Sequence, residues 1–362
     1  MMLNLMFAAV LALQPAVAPG PETGSDPSMA PPPPEQVLAI PEQLREDFRR
    51  QVLATRSPEQ RLYRLVDYML KPQGLGLKYK ADATNSIAES YRTREVNCMA
   101  FTMMAVVLAR EAGLPAYAQQ IDQIMAWDMS GDVVTQSLHA NAVVTVAERK
   151  YMLDIAVGRV SAPVVDYRID DEHLLALFYG NRAMELLGRS HLAEAITWQN
   201  EALRHDQTDA TLWNNAGVLR QRTGDSKGAE QMYLAAVERN PRLTSALSNL
   251  VALYRERGDF KQASHWQRQS ESVLSKDPYY QFVQGRRDEI AGDSQGAIGY
   301  YRRAISLNKR EHQFHFYLAR AYMQMGRLRD AKLELTSAQR LSAGVDQQRY
   351  QSKLDALRRM TY

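Results

Sequence analysis

The sequence contains very little cysteine: Cys98 is the only one among 362 residues. A single cysteine excludes an intramolecular disulfide and any metal site built from several thiolates. The chain also lacks a large excess of charge of one sign. Its formal net charge is +3, and its lysines and arginines are scattered among acidic residues. This charge pattern gives no reason to predict nucleic-acid binding.

Long apolar runs are also lacking. Residues 3–13 are apolar, but this run is shorter than the roughly 20 residues that a membrane-spanning helix needs. Ala16-Val17-Ala18 resembles a cleavage motif, so we expect residues 1–18 to be an export signal, with an uncleaved anchor or a disordered tail as alternatives. This predicts a periplasmic or secreted protein. Residues 19–36 are rich in proline and predict an extended linker.

The length and composition predict two folded domains. Apolar residues make up 45% of the chain and charged residues 23%, which is typical of a soluble globular protein. A chain of 362 residues is too long for one ordinary core. We expect a first domain at residues 37–172, helical repeats at residues 173–345, and a C-terminal capping helix at residues 346–362.

The first domain mixes helices with strands. Amphipathic patterns predict helices at residues 41–54, from residue 58 to about residue 70, and at residues 86–92. Alternating residues at 114–125 predict a strand, and a loop containing Trp127 follows. Residues 138–147 and 150–157 predict a hairpin. Helices followed by antiparallel strands are typical of an α+β domain.

Cys98 opens an apolar stretch that predicts a buried helix. Residues 100–109 are almost wholly apolar, Asn97 is placed to cap the helix start, and Gly113 is placed to end it. The positive end of a helix favours the thiolate form of a cysteine there, which would make Cys98 a nucleophile. The alternative is a buried cysteine that only fills space in the core.

His139 and Asp154 fall on the predicted hairpin. A four-residue turn at residues 147–150 would put residue 143 opposite Asp154, so that His139 shares a face with Asp154. The two would then be four residues apart along the strands, roughly 13 Å at about 3.3 Å per residue. A hydrogen bond between them therefore requires a bulge or a shifted turn.

A cysteine at a helix start, followed by A-R-E-A-G-L-P-A and then by a strand histidine and a strand aspartate, resembles the transglutaminase-like superfamily. The resemblance covers about residues 60–165 and is strongest to a bacterial subgroup in which this domain precedes helical repeats. It implies a papain-like α+β fold with Cys98, His139 and Asp154 as the catalytic residues. Family members commonly carry glycine one or two positions before the cysteine, where this chain has Val96-Asn97.

The resemblance also implies a chemistry. Cys98 would attack a carbonyl, His139 would take and return a proton, and Asp154 would orient the imidazole. Asn97 and Trp127 are candidates for the substrate cleft, with packing as the alternative for Trp127. If water accepts the acyl group, the enzyme is a cysteine peptidase or amidase. If a lysine amine accepts it, the enzyme is a protein crosslinker.

The second half of the sequence repeats every 34 residues. Small residues and glycines recur in register, at Ala195, Ala229, Ala263, Ala297 and Ala331, at Ala202, Ala236, Ser270, Ala304 and Ala338, and at Ser190, Gly224, Gly258, Gly292 and Gly326. This is the tetratricopeptide pattern. It gives five repeats, at residues 176–209, 210–243, 244–277, 278–311 and 312–345, and predicts an all-α solenoid.

Such arrays usually receive peptides on a concave face. The candidates for that face are Asn181, Asn215, Asn249, Arg286 and Arg320. The alternative for the asparagines is bonding between repeats. His312 and His315 share a helix face, but no third ligand is near in sequence, so we predict neither a metal nor another cofactor.

Two functions follow from the sequence. The first is a thiol-dependent acyl-transfer enzyme whose repeats recruit a protein or peptide. The alternative is an interaction scaffold in which the first domain binds without catalysis. In both, the partner is a protein or peptide, and a membrane tether would involve the N-terminus only.

Overall fold

The structure is a computed structural model that describes residues 29–121, 127–130, 133–136, 139–155, 159–161 and 168–360. The predicted export signal therefore lies outside the described residues. By its internal contacts the chain divides into two compact units, Met1–Leu253 and Tyr254–Tyr362. No helix in the described part of the chain is long and apolar enough to cross a membrane.

In the part of the chain that the structure describes, five helices precede the main sheet, and their ends follow local capping chemistry. They are α1 (Pro34–Val37), α2 (Glu42–Gln51), α3 (Pro58–Leu70), α4 (Ile87–Thr93) and α5 (Cys98–Glu111). Ser57 caps α3, with its side chain accepting a hydrogen bond from the backbone N–H of Gln60. Ser86 and Glu89 form a capping box at the start of α4. The helix predicted at residues 41–54 is shorter and ends at Gln51.

Within the described ranges, the strands form one five-stranded sheet and two small pairs. In chain order they are β1 (Lys78–Tyr79), β2 (Glu95–Val96), β3 (Ala116–Ile121), β4 (Trp127–Ser130), β5 (Val133–Gln136), β6 (His139–Val146), β7 (Arg149–Asp154), β8 (Arg159–Ser161) and β9 (Arg168–Ile169). The large sheet is antiparallel with the order β8-β7-β6-β3-β9, β1 pairs with β2 in parallel, and β4 pairs with β5.

The α5 helix packs on one face of this sheet. Alternate residues of β6 (Ala140, Ala142 and Val144) are buried in the same core as the apolar residues of α5. Helices and an antiparallel sheet in this arrangement make the N-terminal part an α+β structure, as the sequence predicts.

Two features between β3 and β7 differ from the prediction. Trp127, expected on a loop, lies in β4 opposite Gln136, and its side chain is outside the described part of the chain. The turn expected at residues 147–150 is only two residues long, Ala147 and Glu148, both with positive φ (47° and 62°). Such tight turns normally use glycine or asparagine, so the sequence carried no signal for it.

The end of the predicted linker is also different. Residues 29–37 pack against the first repeat helices instead of extending away from the fold. The hydroxyl of Tyr179 donates to the Pro32 carbonyl at 2.7 Å, and the Trp198 indole N–H donates to the Met29 carbonyl at 2.6 Å. Val37 is fully buried. The proline content predicted an extended chain. Instead, hydrogen bonds from the side chains of Tyr179 and Trp198 to backbone carbonyl oxygens hold this segment against the first repeat.

The remaining described residues form helices in pairs with the predicted 34-residue period. These are α6 (Asp171–Gly188), α7 (Leu192–His205), α8 (Ala210–Arg222), α9 (Ser226–Arg239), α10 (Thr244–Glu256), α11 (Phe260–Leu274), α12 (Pro278–Ile290), α13 (Ser294–Leu307), α14 (His312–Gln324), α15 (Leu328–Leu341) and the capping helix α16 (Gly344–Met360). The recurring alanines are buried, and the recurring glycines have positive φ just after the first helix of a pair.

In the first unit the α+β part and the first repeats share one hydrophobic core. That core contains residues of α5, of the large sheet, and of α6, α7 and α8. Polar contacts add to it: Arg110 donates to both carboxylate oxygens of Asp171, and Glu185 accepts from the backbone N–H of Thr84 at 3.0 Å. The core therefore continues across the boundary predicted between residues 172 and 173.

Candidate functional site

Cys98 is the first residue of α5, and Asn97 holds this helix end in place. The Oδ1 atom of Asn97 accepts a hydrogen bond from the backbone N–H of Ala100 at 2.9 Å. Its Nδ2 donates to the Thr84 hydroxyl at 2.7 Å, and the residue is buried. Asn97, predicted as a cleft residue, therefore has both ends of its amide engaged in fixing the helix start. Cys98 beside it is partly exposed at the positive end of α5.

The hairpin of β6 and β7 sets the spacing of His139 and Asp154. Ala142 pairs with Leu153 in this hairpin. One further step along the register sets residue 141 opposite Asp154, so His139 is two residues away along β6, or about 7 Å at about 3.3 Å per residue. The shifted turn therefore halves the expected separation. Asp154 is buried, and the side chain of His139 lies outside the described part of the chain.

Tyr79 is a residue beside Cys98 that the sequence did not reveal. It pairs with Val96 across β1 and β2, two residues before the cysteine, and is 55% exposed. Partial burial raises the pKa of Tyr79, and the negative charges of Cys98 and Asp154 raise it further. The charges of Cys98 and Asp154 therefore both raise the pKa of the Tyr79 phenol. A two-residue strand leaves no pattern in the sequence, which is why this neighbour could not be predicted.

The three asparagines predicted for the peptide-facing surface have different surroundings. Asn181 on α6 is exposed, and Asn215 on α8 is partly buried. Asn249 on α10 donates from Nδ2 to Oδ1 of Asn214 on α8 at 2.8 Å. Asn249 therefore forms a hydrogen bond between two repeats, whereas Asn181 is exposed to solvent.

Arg286 and Arg320 meet at one buried carboxylate in the second unit. Arg286 donates from Nη1 to Oε2 of Glu289 at 2.8 Å. Arg320 donates from Nε and Nη2 to the two oxygens of Glu289 at 2.5 and 2.6 Å. The Tyr301 hydroxyl donates to Oε2 of Glu289 at 2.8 Å. With Tyr317, whose ring lies beside both guanidinium groups, these residues form what we call the arginine cluster.

The arginine cluster keeps Glu289 ionised. Burial raises the pKa of Glu289, but hydrogen bonds from Arg320 and Tyr301 and the charges of both arginines outweigh it, so the pKa lies below its ordinary value. Burial and the contact with Glu289 raise the pKa of Tyr301 well above its ordinary value, so its phenol stays a donor. Two cations around one anion leave the arginine cluster with an excess of one positive charge.

His312 and His315 have partners of their own. Nδ1 of His312 lies 3.0 Å from the Tyr350 hydroxyl. Nδ1 of His315 lies 2.6 Å from a carboxylate oxygen of Glu334, and its Nε2 lies 3.1 Å from the Lys309 carbonyl. Among the residues that the structure describes, no group of three or more histidine, cysteine, aspartate or glutamate side chains is placed to hold a metal ion.

A shallow cleft of about 350 Å³ lies elsewhere in the first unit. Arg110, Tyr117 and Asp171 are among its lining residues, and Arg110 and Asp171 are paired with each other there. Within the described ranges, none of the predicted site residues lines this cleft. We assign it no function.

The helix pairs and their buried small residues define the class: the helical part of the chain has the all-α tetratricopeptide-repeat fold. The family model for the tetratricopeptide repeat matches residues 210–243, which are the bounds predicted for the second repeat. The chain is 28% identical over 108 residues to the Photosystem I assembly protein Ycf3 of Rippkaea orientalis (strain PCC 8801 / RF-1). That match covers 29% of this chain and 62% of the relative, so the chain spans about three fifths of the relative's length.

Solved tetratricopeptide-repeat structures are similar to parts of the chain. One is YrrB, described as a TPR protein with an unusual peptide-binding site; it is 18% identical, with a TM-score of 0.26, covering 46% of this chain and 86% of YrrB. Another is the thermophilic TPR protein TTC0263 of Thermus thermophilus, 21% identical with a TM-score of 0.27, covering 49% of this chain and 98% of TTC0263.

Proposed function

We propose that the chain is a protein-interaction scaffold whose repeats bind an extended segment of a partner protein. The observation that carries this proposal is the series of helix pairs in register, whose first helices present polar side chains to solvent. Asn181 is exposed, and the side chain of Arg320 is 36% exposed. The name of the matched Ycf3 describes an assembly protein, which supports a role in bringing proteins together. Such a role requires no reaction.

The test is a binding titration with the full chain. Three pools of short fluorescein-labelled peptides, acidic, neutral and basic, are titrated at neutral pH while the fluorescence anisotropy is recorded. We expect saturable binding of at least one pool with a dissociation constant on the order of micromolar. If no pool binds at about 1 mM protein, the repeats are not a peptide-binding surface and the proposal fails.

A second function, thiol-dependent acyl transfer, is favoured by the position of Cys98 at the start of α5 and by the strand register that leaves His139 two residues from the position opposite Asp154. We propose that residues 37–172 form a transglutaminase-like domain. The shared neighbour Tyr79, the position of Cys98 at a helix start and the two-residue offset between His139 and Asp154 support this assignment. The alternative within the scaffold proposal is that this domain binds without catalysis.

The reaction would follow the roles that the family resemblance gives. The Cys98 thiolate attacks an amide carbonyl, His139 protonates the leaving amine, and an acyl-enzyme forms. Water or a lysine amine, giving its proton to His139, then attacks the thioester, which gives hydrolysis or crosslinking, and the Cys98 thiolate leaves. Asp154 orients the imidazole, and the backbone N–H of Cys98 supplies one donor to the oxyanion.

Alkylation of the thiol tests this second function. Because Cys98 is the only cysteine, the mass of the intact chain after iodoacetamide treatment reports on it alone. We expect alkylation about tenfold faster than free cysteine at about pH 6, because an activated cysteine is already thiolate there. His139→Ala should remove this advantage, and His265→Ala, at an exposed position on α11, should not. A rate equal to that of free cysteine, unchanged by His139→Ala, would rule out an activated thiol.

We also propose export. Residues 3–13 are apolar and precede the small residues Ala16-Val17-Ala18, which is the pattern of a secretory signal. This would place the protein in the periplasm or outside the cell, with an uncleaved N-terminal anchor as the alternative.

A further inference from the structure

The first repeat helix and the start of α5 both bind the loop between β1 and α4. Glu185 on α6 accepts a hydrogen bond from the backbone N–H of Thr84 in this loop at 3.0 Å. From the other side, the backbone N–H of Asn97 donates to the Ala83 carbonyl at 3.1 Å, and its Nδ2 donates to the Thr84 hydroxyl at 2.7 Å. Thr84 is therefore bonded both to the repeat helix and to the residue that caps α5.

These hydrogen bonds are shielded from water. Thr84 is fully buried, Asn97 is buried, and the side chain of Glu185 is only 12% exposed. A buried N–H group that loses its acceptor costs free energy, because water does not replace the lost partner. The three residues therefore hold one another in a single arrangement.

Two arginines, one in α6 and one directly after it, add contacts to the same region. Arg182 donates from Nη1 to Oε2 of Glu185 at 3.3 Å. Its Nη2 lies 3.6 Å from Oε1 of Glu89, which belongs to the capping box of α4. Arg189 donates to Asp82 in the loop at 3.4 Å. The repeat helix thus contacts the loop itself and the helix that follows the loop.

Glu185 serves in these contacts as a hydrogen-bond acceptor. Burial raises the pKa of its carboxyl group, and the hydrogen bonds from Thr84 and Arg182 offset this rise only in part. Its negative charge is therefore less favoured than that of an exposed glutamate. A carboxyl group keeps an acceptor oxygen in either protonation state, and so does an amide. Glutamine at position 185 can therefore make the same contact with the backbone of Thr84.

The series of hydrogen bonds ends at the first turn of α5. Oδ1 of Asn97 accepts from the backbone N–H of Ala100 at 2.9 Å, which fixes the turn that begins with Cys98. The N–H groups of this turn stabilise a thiolate only while they remain aligned at the helix start. If Thr84 moves, Asn97 loses an anchor and the first turn loosens.

We propose that Glu185 of the first repeat is a positioning residue for Cys98. It acts through Thr84 and then through Asn97, and it does not itself touch the reacting atoms. This inference rests on the proposed acyl-transfer function and extends the site beyond residues 37–172. The first repeat is then a working part of the candidate enzyme, in addition to any role in recruiting a partner.

Alkylation of the full chain by iodoacetamide tests this role. The readout is the ratio of the rate at about pH 6 to the rate at about pH 9, where an ordinary thiol is largely ionised. This ratio reports the thiolate fraction and is insensitive to access to the sulfur atom. Glu185→Ala should lower the ratio about fivefold, because the cap of α5 loosens. Glu185→Gln keeps an acceptor oxygen and should restore the ratio of the wild type.

A second pair of variants tests the middle of the series without changing the buried carboxyl group. Thr84→Val removes the hydroxyl that Asn97 uses and should lower the ratio as Glu185→Ala does, whereas Thr84→Ser should not. Because both changes act on one series of contacts, the double variant of Glu185→Ala and Thr84→Val should lower the ratio no further than either alone. Glu172→Ala, which removes the same charge from an exposed position on α6, is the matched control and should leave the ratio unchanged. Circular dichroism verifies that each variant stays folded.

Three results overturn the inference while leaving acyl transfer intact. In the first, Glu185→Ala and Thr84→Val leave the ratio unchanged. In the second, Glu172→Ala lowers it as much as Glu185→Ala does, which indicates a general effect of charge on α6. In the third, the effects of Glu185→Ala and Thr84→Val add, which indicates two separate disturbances of the fold. A wild-type ratio equal to that of free cysteine, in contrast, rejects the acyl-transfer function itself and this inference with it.

Discussion

Replacing Glu289 with glutamine is expected to lower the free energy of local unfolding around α12 and α14 by about 2 to 3 kcal/mol at neutral pH. Removing one partner of a buried ion pair is costly, because the remaining charges lose their counter-ion. Here Arg286 and Arg320 would face each other across a neutral amide, and Tyr301 would share its acceptor. The expected loss is small for a broken buried ion pair, because the Arg320 side chain is 36% exposed and water screens its charge.

The effect of this substitution should depend on pH. The pKa of Glu289 in the folded chain lies below its ordinary value, because its hydrogen bonds and the arginine charges outweigh burial. A carboxylate with a lowered pKa stabilises the fold fully above the pKa of the unfolded chain, and this stabilisation is lost as the pH falls through the folded-state pKa. The difference between the wild type and Glu289→Gln should therefore shrink in acid.

Hydrogen exchange of the full chain measures both effects, because it reports the opening free energy of a chosen region. Protection of residues 278–324 should fall in Glu289→Gln at neutral pH. Glu271→Gln, at an exposed position on α11, is the matched control and should change the opening free energy by less than about 0.5 kcal/mol. Equal protection in the wild type and in Glu289→Gln would mean that the arginine cluster does not stabilise the second unit.

Replacing Gly285 with alanine should destabilise the second unit by about 1 to 3 kcal/mol. A Cβ atom at Gly285 would lie 2.6 Å from the Tyr301 ring, which is fully buried. The ring or α12 would have to shift, and the hydrogen bond from Tyr301 to Glu289 would be strained with it. The substitution therefore tests whether α12 and α13 need a glycine at position 285 to pack closely.

Gly299→Ala is the matched control for this effect. Gly299 lies in α13 of the same unit, and a Cβ atom there would meet nothing within 4 Å. Alanine favours the helix over glycine, so this variant should gain about 0.5 to 1 kcal/mol. Thermal unfolding of the two variants, followed by circular dichroism, should move in opposite directions. Stabilisation of both variants would show that helix propensity, and not packing against Tyr301, controls the result.

The repeats could be predicted because their physics is local and periodic. A helix pair needs small residues where the helices touch and glycine where the first helix ends, and both requirements recur at a fixed spacing. Ala195 and Ala229 are fully buried, and Gly224 has a φ of 80°. The model of the tetratricopeptide repeat matches residues 210–243, the bounds predicted for the second repeat.

The hairpin register could not be predicted, because it depends on a turn without a sequence signal. Ala147 and Glu148 both take positive φ, which side chains other than glycine and asparagine seldom do. The four-residue turn at residues 147–150 that we used to work out the register is therefore too long. The two-residue turn moves residue 141 opposite Asp154 and shortens the offset to His139.

The arginine cluster could be predicted only in part. The 34-residue period placed Arg286 and Arg320 on the same surface, but it gave no reason to select Glu289 as their partner. Glu289 is only three residues from Arg286, and it is buried because Tyr301 and Arg320 from later helices close over it. Tyr79 was missed for a related reason: its approach to Cys98 arises from the pairing of two-residue strands.

The most direct test of the scaffold is the titration of the acidic, neutral and basic peptide pools with the full chain, with the mass of each peptide measured before and after incubation. We predict saturable binding of at least one pool, with peptide masses unchanged by the binding itself. Failure of all three pools to bind would contradict the account. Cleaved or crosslinked peptides without saturable binding would instead indicate that the chemistry of Cys98, and not the repeats, defines the protein.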